Sequence, residues 1–316
     1  MPMKTFILHF VCPVLIAMLC LSCVSGRTEL DNYIENEDWD GILRTYKDAD
    51  SLRTIDIAYV NIALATKGRL ADDAFTYIQA GPGGLFPEWQ MMATEGRILA
   101  YILYEAGHVS LAQRMAFETD VNCAPGHDSN MIKMLVKTNL IYGNWEIAEK
   151  YICFLEMERG RNSKWATSQR IFLGNDKAVL EDSEYGPRRK CMPEENFITE
   201  WRGYDADLKD IIKANPTYRN AIEILGVYYL LCLDFEDFKS MVDEYLGTEI
   251  LPELPRSFAE AACMLSEQYQ GYWKIVGVTK DIYRKYSDFK TRLSSGLSMN
   301  RYKDTYWVYV MRMNAE

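Results

Sequence analysis

A unit of two short helices recurs along this chain, and no other feature constrains its fold as much. Between Met131 and Glu156 an apolar helical pattern containing Leu135, Val136, Leu140 and Ile141 runs into Gly143, and Trp145 and Ala148 follow two and five residues later. Arg97 to Phe117 has the same layout around Gly107, with Val109 and Ala112 at the matching positions. Ile55 to Tyr77 repeats it around Gly68, with Leu70 two residues on and Ala74 six. Asn36, followed by Trp39, reads as the end of a truncated first unit. A later copy opens at Asn215-Pro216, carries Leu225-Gly226 and Tyr229 inside its first helix, turns at Leu233 and continues with Phe235 and Phe238. The turns at 36, 68, 107 and 143 lie 32, 39 and 36 residues apart, and the 90 residues from 143 to 233 leave room for two periods plus an insertion. A helix pair this short cannot cover its own apolar face, so units of this kind stack on one another. The chain is therefore expected to be all-α.

Gly107/Val109/Ala112, Gly143/Trp145/Ala148 and Leu225-Gly226/Tyr229 resemble the turn and packing positions of tetratricopeptide repeats, whose period is roughly 34 residues. The resemblance covers about two thirds of the chain beyond its N-terminal segment, in degenerate copies, and implies an α-α superhelix, or solenoid, of tetratricopeptide-like helix pairs. Small residues at Ala112, Ala148 and Gly226 would let neighbouring helices approach closely, while glycine at the turn allows a positive φ. Two segments break the pattern. Gly81-Pro82-Gly83-Gly84 lacks the Lys-Ser/Thr that a phosphate loop needs, and reads as a plain connection. From 160 to 214 the chain is polar, with opposed charge clusters at Glu181-Asp182-Ser183-Glu184 and Arg188-Arg189-Lys190. This stretch is expected to be an irregular insertion with one worn helix pair, dividing the array into repeats at 23–159 and 215–316. Tyr302 to Met313 is rich in β-formers yet sits where an array needs a capping helix.

Residues 1–22 have one cation, Lys4, then an apolar stretch from Phe6 to Leu21 broken by Pro13, the make-up of a secretory signal. Ser22-Cys23 is similar to the lipobox of bacterial lipoproteins, in the relaxed form of the Bacteroidetes, with Cys20 where Leu is usual. That resemblance implies lipidation, such as a palmitate-bearing modification, at Cys23. It places the protein in the bacterial cell envelope, on the outer membrane facing the periplasm; simple cleavage to a soluble secreted protein is the alternative. The cysteines at 123, 153, 191, 232 and 263 then remain. Cys153, Cys232 and Cys263 fall in apolar helical patterns and are expected to be buried and free. Cys123 and Cys191, in turn-rich segments, are the one pair that could bridge.

The chemistry of the side chains is sparse. Beyond the signal only His108 and His127 remain, with no HExxH, CxxC or zinc spacing, no GxSxG and no nucleotide-binding loop. No catalytic residue, metal site or cofactor is expected, and His108 reads as an exposed turn residue. Glu194-Glu195, Glu236-Asp237 and Asp205/Asp207/Asp210 cannot be singled out among 45 acids. The formal charge of −10 argues against nucleic acid as a partner. Positions ten and six residues before each turn glycine, which share one helix face, are Arg97 and Tyr101 in one unit and Lys133 and Lys137 in the next, with Asn130 a turn earlier. This stripe resembles the carboxylate clamp of peptide-binding tetratricopeptide domains. It implies a non-catalytic scaffold for a protein or peptide partner. Against it stands a solvated face with no ligand. The 21 Tyr leave room for a carbohydrate-binding or glycan-uptake lipoprotein, and a third reading, an α-helical glycan-active enzyme, needs two carboxylates that converge in the fold.

Overall fold

In a computed structural model describing residues 29–88, 93–123, 126–192 and 203–315, the helix Ser129–Tyr142 ends at Gly143. This glycine lies at φ 77°, ψ 20°, and its N–H turns back to the carbonyls of Asn139 and Leu140. Such a left-handed cap closes the helix and redirects the chain into the next one. At the matching turn of the later unit the left-handed residue is Leu233, φ 58°. A side chain there costs conformational energy that glycine avoids.

Eighteen α-helices occur among the described residues, and no strand beyond an isolated bridge between Leu246 and Leu251. The first group comprises α1 (Glu29–Asn36), α2 (Trp39–Tyr46), α3 (Thr54–Thr66), the one-turn α4 (Leu70–Asp73), α5 (Ala93–Glu105), α6 (Val109–Val121), α7 (Ser129–Tyr142) and α8 (Trp145–Glu156). Then follow α9 (Arg161–Gln169), α10 (Asp176–Glu181) and α11 (Tyr185–Lys190). The last group is α12 (Tyr204–Ala214), α13 (Arg219–Cys232), α14 (Phe235–Tyr245), α15 (Arg256–Leu265), α16 (Tyr272–Ile275), α17 (Lys280–Ser294) and α18 (Tyr306–Met313). Each of α5 to α8 packs on the next in sequence. Ala112 and Ala148 are fully buried, as small residues at a close helix contact should be.

The later helices do not simply continue this row. The short α4 packs against both α13 and α15. The Arg256 N–H donates to Asp72 Oδ1 at 2.7 Å, and the Ser257 hydroxyl donates to the Ala71 carbonyl. Tyr218 donates to the Glu105 carbonyl at 2.8 Å, which brings the start of α13 to the end of α5. The core thus runs continuously from the early helices into the late ones.

Two expectations change here, and one open alternative closes. The stretch from 160 to 214 forms α9 to α12 and a 3-10 turn in its described parts, because its few apolar residues find partners in the earlier helices; Trp201 lies outside the described residues. Of the two readings open for the end of the chain, strand or helix, Tyr306–Met313 takes the helix. Glu260 explains it: its carboxylate accepts the Tyr306 N–H at 2.8 Å and its carbonyl accepts the Trp307 indole N–H at 2.8 Å. Among the cysteines, Cys263 is buried as expected, whereas Cys153 and Cys232, expected to be buried, are exposed. Cys123 and Cys191 are both free thiols, so no bridge joins them. Residues 1–22 and Cys23 lie outside the described residues. Among the described residues no helix is long and apolar enough to cross a membrane.

Candidate functional site

Arg97 and Tyr101 stand one turn apart on α5, and Asn130, Lys133 and Lys137 follow one face of the adjacent α7. Two segments lie over them. The corner between α1 and α2 is held down where Asn130 Nδ2 donates to the Ile34 carbonyl at 2.8 Å, and Arg161 donates to Asn36 Oδ1 at 3.0 Å. Glu37, at this corner, has φ 52°. On the other side α11 and the turn before it supply Glu184 and Arg188. Glu184 pairs with Lys137 at 2.9 Å and accepts from the Tyr104 hydroxyl at 2.9 Å. Arg188 pairs with Glu105 at 2.7 Å, and its guanidinium lies 4.2 Å from the centre of the Tyr104 ring.

The stripe is therefore covered, not an open face. Tyr101, Asn130 and Lys133 are buried. Arg97 reaches Asp128 Oδ2 at 2.6 Å, so two of the three cations meet carboxylates of the chain itself. Lys133 is different: its ammonium donates to Asn130 Oδ1 at 3.2 Å and lies 5.9 Å from the Trp165 ring centre. Burial lowers its pKa. For Lys137 burial also acts against the charge, but Glu184 outweighs it and the pKa is raised.

Two cavities flank the covered stripe. One, of about 290 Å³, is walled by Trp39, Tyr101 and Tyr104 and edged by Glu37, Lys137 and Glu184. Trp39 meets Tyr101 edge-on, with ring centres 5.3 Å apart. The Tyr101 hydroxyl is buried and has no hydrogen-bond partner, which leaves a donor to be satisfied inside this wall. The second cavity, about 320 Å³, is polar and includes Arg97, Asp128, Asn130 and His127. Fixed donors and acceptors on aromatic walls suit recognition of a polar group.

Each histidine lies beside a carboxylate. His108 is buried, contrary to the exposed position expected: it caps α6 through Nδ1, while Nε2 lies 3.2 Å from Asp207. His127 Nδ1 lies 3.0 Å from Asp120, which also accepts the Asp128 N–H. Among the described residues no three His, Cys, Asp or Glu side chains converge as metal ligands would. Sequence reasoning missed Glu37, Trp39, Tyr104, Glu184 and Arg188 as members of this site. The opposed charge clusters at 181–184 and 188–190 were a signal, but their partners lie 47 and 83 residues away along the chain.

The fold and cleft define an all-α protein with a cavity beside α5 and α7. Residues 6–312 match a family of unknown function, DUF6057, and the chain belongs to that family. No curated protein and no solved structure matches it.

Proposed function

We propose that this protein is a non-catalytic lipoprotein of the bacterial envelope, acylated at Cys23, that binds a protein or peptide partner on a solenoid of tetratricopeptide-like helix pairs. The observation that supports it most is the meeting of three separate segments, around Trp39, Tyr101 and Glu184, in one cleft on the first helices of successive pairs. Helical-repeat proteins bind on such inner surfaces. Because Lys137 and Arg97 already hold carboxylates, a partner's acid would have to displace Glu184 or Asp128. Binding through the cleft is then selective for shape and aromatic contact more than for charge.

Photo-crosslinking tests this reading. A benzophenone amino acid at Trp39, in cells of the native host, should give one dominant protein adduct that disappears with Tyr101→Ala and survives Lys150→Glu on an outer helix. Absence of any protein adduct would count against it. A second reading has its own support, since a cavity of about 290 Å³ with Trp39, Tyr101 and Tyr104 as walls has the size and make-up of a monosaccharide subsite. Retardation in glycan-containing gels that is lost with Trp39→Ala, without a protein adduct, would favour it.

A further inference from the structure

A third cavity, of about 360 Å³, lies where the chain just beyond α4 meets α18. Its floor is aromatic. Phe75 and Tyr309 are buried there with ring centres 5.1 Å apart, and Tyr77 lines the cavity beside them. The polar groups of these walls are already engaged by the protein. The Tyr309 hydroxyl donates to the Leu231 carbonyl at 2.8 Å, the Tyr77 hydroxyl to the Leu43 carbonyl at 3.3 Å and the Thr305 hydroxyl to the Tyr302 carbonyl at 2.7 Å. The Gln79 amide exchanges hydrogen bonds with that of Asn61 at 2.9 and 3.0 Å. What the interior offers a guest is therefore ring faces and carbon.

The charge at this cavity has one sign. Lys303 and Arg312 line it and are exposed, and among the described residues no carboxylate lines it. Neither cation forms an ion pair there. Asp304, beside Lys303 in sequence, is held by Arg256 at 2.8 Å, and Asp73, four residues before Tyr77, is held by Arg69 at 2.6 Å. The two cavities beside the α5 and α7 stripe differ, since carboxylates line both. In a chain with 45 acids against 35 bases, a cavity with two unopposed cations favours an anion as its guest. A small molecule suits it better than a partner helix, because the rings to be reached lie inside the fold, Phe75 4% and Tyr309 6% exposed. We infer that this cavity binds a small organic anion. Its apolar or aromatic body rests against Phe75, Tyr77 and Tyr309, and its carboxylate or phosphate is held by Lys303 and Arg312, a guanidinium accepting either group through paired N–H bonds. The site is separate from the Trp39 cleft and does not rest on the partner-binding role.

Saturation-transfer NMR on the full chain tests this, with phenylacetate and phenyl phosphate as probes and phenylacetamide as the uncharged control. At least one of the two anions should bind, and phenylacetamide should bind about three- to tenfold more weakly. Lys303→Gln/Arg312→Gln should weaken the anion about three- to tenfold and leave phenylacetamide unchanged, whereas Lys150→Gln on an outer helix should alter neither. Acetate and inorganic phosphate, which lack the ring, should fail to displace the probe. Raising salt to roughly 0.5 M should weaken the anion alone. That arm needs no substitution, so it holds even if the double variant folds poorly. Which anion binds more tightly identifies the charged group the site prefers. Binding of neither anion would overturn the inference, as would phenylacetamide binding as tightly as both, or an anion whose affinity neither the double variant nor salt reduces.

Discussion

His108 and Asp207 are buried together, with Nε2 of the imidazole 3.2 Å from Oδ2 of the carboxylate. Nδ1 accepts the Leu111 N–H at 3.4 Å at the start of α6. That leaves the proton on Nε2, directed at Asp207. One ring thus caps α6 and ties it to α12, across 99 residues of chain. His108→Ala removes a cap worth ~1 kcal/mol and strips a buried carboxylate of a partner, so it should cost ~2–4 kcal/mol in urea unfolding. His108→Asn keeps the cap and should cost less. Equal losses in the two variants would show that the cap contributes nothing and that the whole effect lies in the Asp207 contact.

Gly226 on α13 faces the ring of Phe258 on α15, which occupies the space a β-carbon would need. Gly226→Ala should therefore destabilise by ~1–3 kcal/mol, although alanine is the better helix former by ~1 kcal/mol. A rise in melting temperature would mean that Phe258 moves aside freely.

These two contacts mark what the sequence could and could not reveal. Gly226 belongs to a local repeat, and the turn glycines 107 and 143 both adopt left-handed φ, because a helix-pair turn imposes local demands that a residue type records. The His108 contact depends on how residues nearly a hundred positions apart pack, and periodicity carries no such information. The helix at Tyr306–Met313 is the same case. Its β-prone residues are overruled by Glu260, 46 residues earlier, which takes up the N–H of Tyr306. In the cleft, helical spacing was enough to align Lys133 with Lys137. Their burial under α1 and α11 was not legible, since one cover belongs to the truncated first unit and the other to the insertion, and spacing within a helix says nothing of either.

Glu223 on α13 gives the fold a pH dependence. Burial pushes its pKa up to about 7, against the pull of Arg219 at 3.0 Å and the backbone of Ala71. The native state therefore holds this proton more tightly than the unfolded chain does. Its contribution is most favourable below the unfolded value of about 4.5 and is lost as pH rises through about 7. The difference amounts to roughly 3 kcal/mol. Glu223→Gln, which can still accept from Ala71 and Arg219, should be more stable than the parent at pH 8 and nearly equal to it at pH 5. The same difference at both pH values would mean that Glu223 does not titrate in this window.

The thiols should divide by position. Cys191 and Cys263 are buried, and burial pushes each up to about 12. Thiolates react and thiols do not, so iodoacetamide at neutral pH should modify Cys153 and Cys232 first and reach Cys191 and Cys263 only on unfolding. Peptide mapping after brief labelling reads this directly. Early modification of Cys263 would show that α15 opens readily.

Charge reversal in the cleft separates an open stripe from a covered one. On an exposed helix face, reversing Lys137 would change stability by no more than ~1 kcal/mol. In this structure Lys137 is 15% exposed and 2.9 Å from Glu184, with Glu37 on the same cavity wall. Lys137→Glu would set a third carboxylate among these two, in a space that water enters poorly. A fully buried pair broken in this way costs ~3–5 kcal/mol, and the 40% exposure of Glu184 reduces that to about 1–3 kcal/mol. Lys137→Met should cost less, since it removes the attraction without adding repulsion. Combining Lys137→Glu with Glu184→Lys should recover part of the loss, and the double-mutant cycle should show a coupling of about 1–2 kcal/mol. If Lys137→Glu unfolds at the same urea concentration as the parent, α11 does not close over α7 in solution, and the stripe from Arg97 to Lys137 is an open surface after all.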